Sequence, residues 1–226
     1  MPRLAMGALC AALIPFAAAL AETQKPSVNC SGNDSFTNCS TSGEGTFEVV
    51  MAAVHVLGQR PASEDRAIIE KLTRDKDTLP PPFLYELAAR SFATNKLEAG
   101  YYFGLAGTRG RYDAFRCRDK TASAGIGMSL MVLDERLKPM MEYFRAHQKE
   151  LAQAYRLVRD RNDGFNGKAS PWWICSHGMM AVSAGMSGKA LREEDWLKPE
   201  SEWPAIRDSL NKGLDKTIEQ LERGGN

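Results

Sequence analysis

The sequence predicts an all-α fold: a single globular helical domain containing a tetratricopeptide-like helical hairpin and tied by disulfides. Two observations carry this. Every long patterned segment repeats its apolar residues at a spacing of three and four, and none alternates as a half-buried strand would. The segments also start at Ser, Thr or Pro and end at Gly or in Asn- and Asp-rich turns, the punctuation of helices.

The first 21 residues stand apart from this pattern. Arg3 gives a short positive start, residues 4–20 are apolar or small, and Ala19-Leu20-Ala21 has the small-x-small form of a cleavage site. Residues 1–21 read as a signal peptide, with Cys10 leaving in the leader. Pro15 interrupts the apolar run and no basic flank follows it, which argues against a membrane anchor. A periplasmic or secreted location is expected. Cleavage after Ala21 leaves 205 residues with 28 basic and 28 acidic side chains. That neutral balance gives no electrostatic footprint for nucleic acid, and no later apolar run is long enough for stable membrane insertion.

Residues 22–45 are rich in Ser, Asn, Thr and Gly and read as a flexible arm, so the helical domain is expected over 46–226. Its first helix follows Phe47, Val50, Met51, Val54 and Leu57, with Thr46 at the start and Gly58 at the end. His55 in this helix has no second ligand three or four residues away and reads as packed or surface. Ser63 opens a short helix through Ile68, Ile69 and Leu72, which Arg74-Asp75-Lys76-Asp77 ends.

The three prolines at 80–82 stop one element and start a helix expected over 82–94. Leu84, Leu87, Ala88 and Phe92 lie on one face of it. After the turn at Asn95-Lys96, the return helix presents Ala99, Tyr102, Phe103 and Ala106. The stretch "LAARSFATNKLEAGYYFGLA" resembles one helical hairpin of the tetratricopeptide or Sel1-like class, carried by Phe92, Asn95 and Glu98-Ala99 over residues 84–106. No second copy recurs at a fixed period, so the hairpin is expected inside a globular fold. The resemblance implies binding to another protein.

Gly100, Gly104, Gly107 and Gly110 on the return helix predict close backbone packing, with the helix after Pro171 as the expected partner. Arg109, Arg111, Arg116 and Arg118 then alternate with Tyr112 and Phe115. This mixture is enriched at interfaces, and Arg109, Arg111, Tyr112, Phe115 and Arg116 are the expected partner-binding residues. The competing reading is a solvated face with internal arginine pairs to Asp113 or Asp119. Beyond Lys120 a helix is expected to end near Leu137, and another to run over 139–161 with Met140, Met141, Phe144, Leu151, Ala154, Tyr155 and Val158 as its stripe. The methionines Met128, Met131, Met140 and Met141 fit either core or an adaptable binding surface. His147 falls on the charged side. A further helix is expected from Ser170-Pro171 through Trp172, Trp173, Cys175, Met179, Met180 and Val182, and a closing one from Trp203-Pro204 to Leu221.

Cys30, Cys39, Cys117 and Cys175 form an even set in an exported chain, so disulfides are expected. Four cysteines allow three pairings and the sequence does not choose between them. Cys30 with Cys39 closes a short loop, which leaves Cys117 with Cys175. A thiol nucleophile at Cys175 is disfavoured, because His177 two residues on points away on a helix. Serine-hydrolase, phosphate-loop and zinc-protease motifs are missing, and no catalytic residue, metal ligand or cofactor is assigned. The expected function is that of an exported protein-binding protein, cast like an immunity protein that neutralises a toxin delivered to the periplasm. The alternatives are a cell-envelope hydrolase acting on peptidoglycan or lipid through His177 and a carboxylate, Glu86, Glu98, Asp134 and Glu135 being weighed as carboxylates for glycan cleavage, and a periplasmic assembly or scaffold factor.

Overall fold

A computed structural model describes residues 45–224, and the prediction of an all-α single domain holds there. Eleven α-helices follow in order: α1 Phe47–Gly58, α2 Asp65–Asp75, α3 Pro81–Ser91, α4 Lys96–Arg116, α5 Ala124–Val132, α6 Asp134–Ala146, α7 Gln148–Arg161, α8 Trp172–Cys175, α9 Met179–Met186, α10 Glu193–Trp196 and α11 Trp203–Glu222. The only extended pairing among the described residues is an isolated antiparallel bridge between Cys117 and Leu197.

Helix α4 is the axis of the molecule. It packs against α3, α7, α11 and α8, and residues on nearly every side of it are buried. The expected hairpin is formed by α3 and α4, which are joined by four residues. The Asn95 side chain accepts the Glu98 N–H at 3.1 Å to start the second helix. Leu84, Leu87, Ala88, Ala99, Leu105 and Ala106 are fully buried along it. The glycines of α4 permit the expected close approach, but their partner is α7 rather than the segment after Pro171. A Cβ on Gly100 would stand 2.8 Å from Ala154 and one on Gly104 would stand 2.5 Å from the Tyr155 ring.

Two helix boundaries differ from expectation. Pro139 lies inside α6 as its sixth residue, on the exposed side; the break to α7 falls instead at His147, which is exposed as expected. The segment after Pro171 is two helices, not one. Ser170 does accept the Trp172 N–H, but the chain turns extended at Gly178 (φ −70°, ψ 150°). The cause is tertiary: the Asp119 carboxylate stands 2.6 Å from the place of a Cβ on Gly178, and it accepts the Met180 N–H at 2.7 Å.

Candidate functional site

The arginine and aromatic segment of α4 faces inward. Arg109, Tyr112, Asp113 and Arg116 follow the i, i+3, i+4, i+7 rule of a single helical face, and all four are buried. The Arg109 guanidinium donates to Lys76 O at 2.7 Å, Asp163 O at 3.0 Å and Asp77 Oδ1 at 2.7 Å, tying α4 to the α2–α3 turn and to the turn after α7. Arg116 donates to Asp113 at 2.5 Å and lies against the rings of Tyr112 and Trp203, at 4.3 and 4.8 Å. Asp113 also accepts Trp173 Nε1–H at 2.7 Å. Of the five expected partner-binding residues, only Arg111 and Phe115 reach the surface. The correction has a physical cause: Arg109 and Arg116 are buried and find acceptors inside, so a five-residue docking patch does not form; the solvated face is corrected too, and of its pairs only Arg116 with Asp113 is found, Arg109 pairing instead with Asp77.

"SPWWICSHGM" is a staple. Cys117 at the end of α4 is bonded to Cys175 in α8, with a Cα–Cα distance of 5.4 Å. The Phe47 N–H donates to Ser176 Oγ at 2.9 Å, and the Phe47 ring lies 4.3 Å from that of His177. The start of α1, the end of α4 and α8 are thereby joined. Cys30 and Cys39 lie outside the described residues.

None of the carboxylates weighed for hydrolysis is paired with His177 in the described residues. Asp119, whose carboxylate lies against Gly178, accepts from Thr121 N, Thr121 Oγ1 and Met180 N. Partial desolvation pushes its carboxyl up, but those donors outweigh it and hold it below the usual range. Glu86 is fully buried, not solvated: it accepts from Arg90 Nε at 2.7 Å and Arg136 Nη2 at 2.6 Å, while Arg90 also reaches Asp65 and Leu57 O. This network locks α1, α2 and α6 onto α3. Glu98 accepts the Tyr102 hydroxyl at 2.9 Å. Among the described residues there is no cluster of acid, His or Cys side chains able to hold a metal.

The exposed apolar groups lie elsewhere. Helices α5 (AGIGMSLMV) and α9 (MMAVSAGM) carry no charged residue. Of the four methionines singled out in the sequence, Met140 is core at 1% exposure, but Met131 is 71% exposed, and Met128 and Met141 are also exposed. Helix α9 adds Met179, Val182 and Met186, the last 87% exposed. Both helices spring from one knot: Thr121, three residues before α5, accepts the Met179 N–H at 2.9 Å, next to the Asp119 bond to Met180. The α9 surface was missed because one unbroken helix was expected to turn Met179 and Val182 inward.

These features define a disulfide-tied helical domain in which two uncharged helices each expose an apolar face. No protein-family model, curated protein or solved structure matches the chain. No helix among the described residues is long and apolar enough to cross a membrane.

Proposed function

We propose that this chain is an exported protein-binding protein whose partner docks on the apolar faces of α5 and α9. The observation that carries the reading is the exposure of Met128, Met131, Val132, Met179, Val182 and Met186 on two uncharged helices rooted in one knot. Concentrated exposed apolar surface marks interaction sites, and methionine adapts to an irregular partner. Charges beside the helices are of mixed sign: Asp134, Glu135 and Lys138 follow α5, and Lys189, Arg192, Glu193 and Glu194 follow α9. That leaves no basic belt for anionic lipid headgroups, which favours a protein face as the occupant.

Within this class the leader and the helical body fit immunity against a toxin delivered to the periplasm. The test is co-expression, each protein directed to the periplasm, with the product of a toxin-like reading frame adjacent to the gene. Growth is restored by the wild-type chain and not by Met131→Glu/Met186→Glu. Failure of the wild type to protect against any neighbouring product removes the immunity role.

A further inference from the structure

The one oxidisable side chain on α5 and α9 is methionine. Five methionines among the described residues are exposed, and four of them, Met128, Met131, Met179 and Met186, lie on these two helices; the fifth is Met141 on α6. Met179, Val182 and Met186 stand at i, i+3 and i+7 of α9 and share one stripe, as Met128, Met131 and Val132 do on α5. Met51 and Met140 are core, at 7% and 1% exposure. One molecule therefore holds the same side chain both open and closed to solvent.

A thioether reacts with peroxide where the two can meet. The sulfur attacks one peroxide oxygen, the O–O bond breaks and an S–O bond forms, and the other oxygen leaves as water once it has taken a proton. The sulfur is oxidised, the peroxide is reduced, and no other reactant is consumed. Thiolates would compete for the oxidant, but Cys117 and Cys175 are already joined as a disulfide. The sulfoxide is polar, and an apolar contact formed over it has to bury an oxygen without a hydrogen-bond donor. Met131, Met179 and Met186 are not packed against the core, so their conversion leaves the fold intact.

We propose that Met131, Met179 and Met186 are a reversible oxidation site, through which peroxide switches the α5 and α9 faces from apolar to polar and releases the partner. The release rests on the reading of these faces as a docking site; the oxidation and the loss of apolar surface do not. The return step passes the sulfoxide oxygen to water at the expense of two thiols of a methionine sulfoxide reductase.

The experiment treats the leaderless protein with hydrogen peroxide and reads sulfoxide at each residue by peptide mass spectrometry, with the uncharged dye Nile red reporting apolar surface. Met131, Met179 and Met186 are oxidised roughly tenfold faster or more than Met51 and Met140, which react only when the core opens. The dye signal falls as these sulfoxides form, at an unchanged melting temperature, and returns when reductases for both sulfoxide epimers are added. Met131→Leu/Met179→Leu/Met186→Leu binds the dye like wild type and keeps it in peroxide. A protein captured from the native host envelope by the reduced chain is held roughly tenfold less by the oxidised one, and equally by the leucine variant before and after peroxide. The proposal is overturned if Met51 or Met140 oxidises as fast as the three, if wild type and leucine variant respond alike, or if a captured protein stays on the oxidised chain. Capture of no protein by the reduced chain contradicts the docking reading instead, and the sulfoxide and dye measurements then decide the switch alone.

Discussion

Arg109 decides between a surface and an interior for the basic segment of α4, and its replacement tests the architecture. The side chain is 3% exposed and its three hydrogen bonds end on two backbone carbonyls and Asp77. Arg109→Met keeps the stem and removes the donors. Lys76 O is left without a partner, at a cost of about 1–3 kcal/mol, whereas Asp163 O keeps the Asn166 N–H. The ion pair adds only about 0–1 kcal/mol, because the Asp77 side chain is 45% exposed and water replaces part of what is lost. The expected loss is about 1–4 kcal/mol, an appreciable share of the roughly 5–15 kcal/mol that stabilises a typical domain. Arg109→Glu places an unpaired charge in the same position and should prevent folding. Arg111→Met, at the surface without an ionic partner, changes stability by about 0.5 kcal/mol or less. Urea unfolding followed by far-UV circular dichroism measures all three. A loss below about 1 kcal/mol for Arg109→Met, with an unchanged denaturant slope, would refute the burial argument.

Three further outcomes follow from the same structure. Cys117→Ser and Cys175→Ser should each destabilise by up to about 4 kcal/mol, the loop-entropy value for a separation of 58 residues. The double variant should lose no more than either single one, and native protein should contain no alkylatable Cys175; additive losses or a free thiol would contradict the crosslink. In acid, Asp77 and Asp119 have carboxyls held below their ordinary value of 3.8, so they contribute stability above that pH and lose it as the pH falls further. Burial pushes Asp113 up and acts in the opposite sense, so the melting temperature of Asp77→Asn should fall less steeply than that of wild type below about pH 4; parallel curves would count against the Arg109 tie. Gly104→Ala drives a methyl into the Tyr155 ring and should cost about 1–3 kcal/mol, whereas an unchanged melting temperature would mean that α4 and α7 are not in close contact.

Helical spacing alone placed α1, the α3–α4 hairpin, most of α7 and α11, because each has an apolar stripe long enough to define a face. The same rule applied to polar residues reveals the inward face of α4: Arg109, Tyr112, Asp113 and Arg116 share one side, although their composition reads as an interface. Cys117 with Cys175 was legible as the pair left over. The breaks were not. Nothing near Gly178 in the chain announces that Asp119, about sixty residues earlier, will cap Met180 and fill the glycine's side. Pro139 drew the α6–α7 boundary toward itself because a proline so often starts a helix, while the true break at His147 carries no turn residue. The split at Gly178 then turned Met179, Val182 and Met186 outward, so the candidate site depends on a long-range contact that local pattern does not contain.

The central claim is that α5 and α9 hold a protein partner through their apolar faces. The most direct measurement is quantitative mass spectrometry of proteins captured from the native host envelope by the leaderless chain, run beside Met131→Glu/Met186→Glu and Arg111→Gln. Exposed substitutions of this kind leave stability within about 0.5 kcal/mol, so equal melting temperatures confirm that only the surface has changed. The account predicts a protein retained by wild type and by Arg111→Gln, and reduced roughly tenfold or more with the double methionine variant, as for central contacts of an interface. Equal retention by the wild type and the methionine variant, or no specific protein on either, would contradict it.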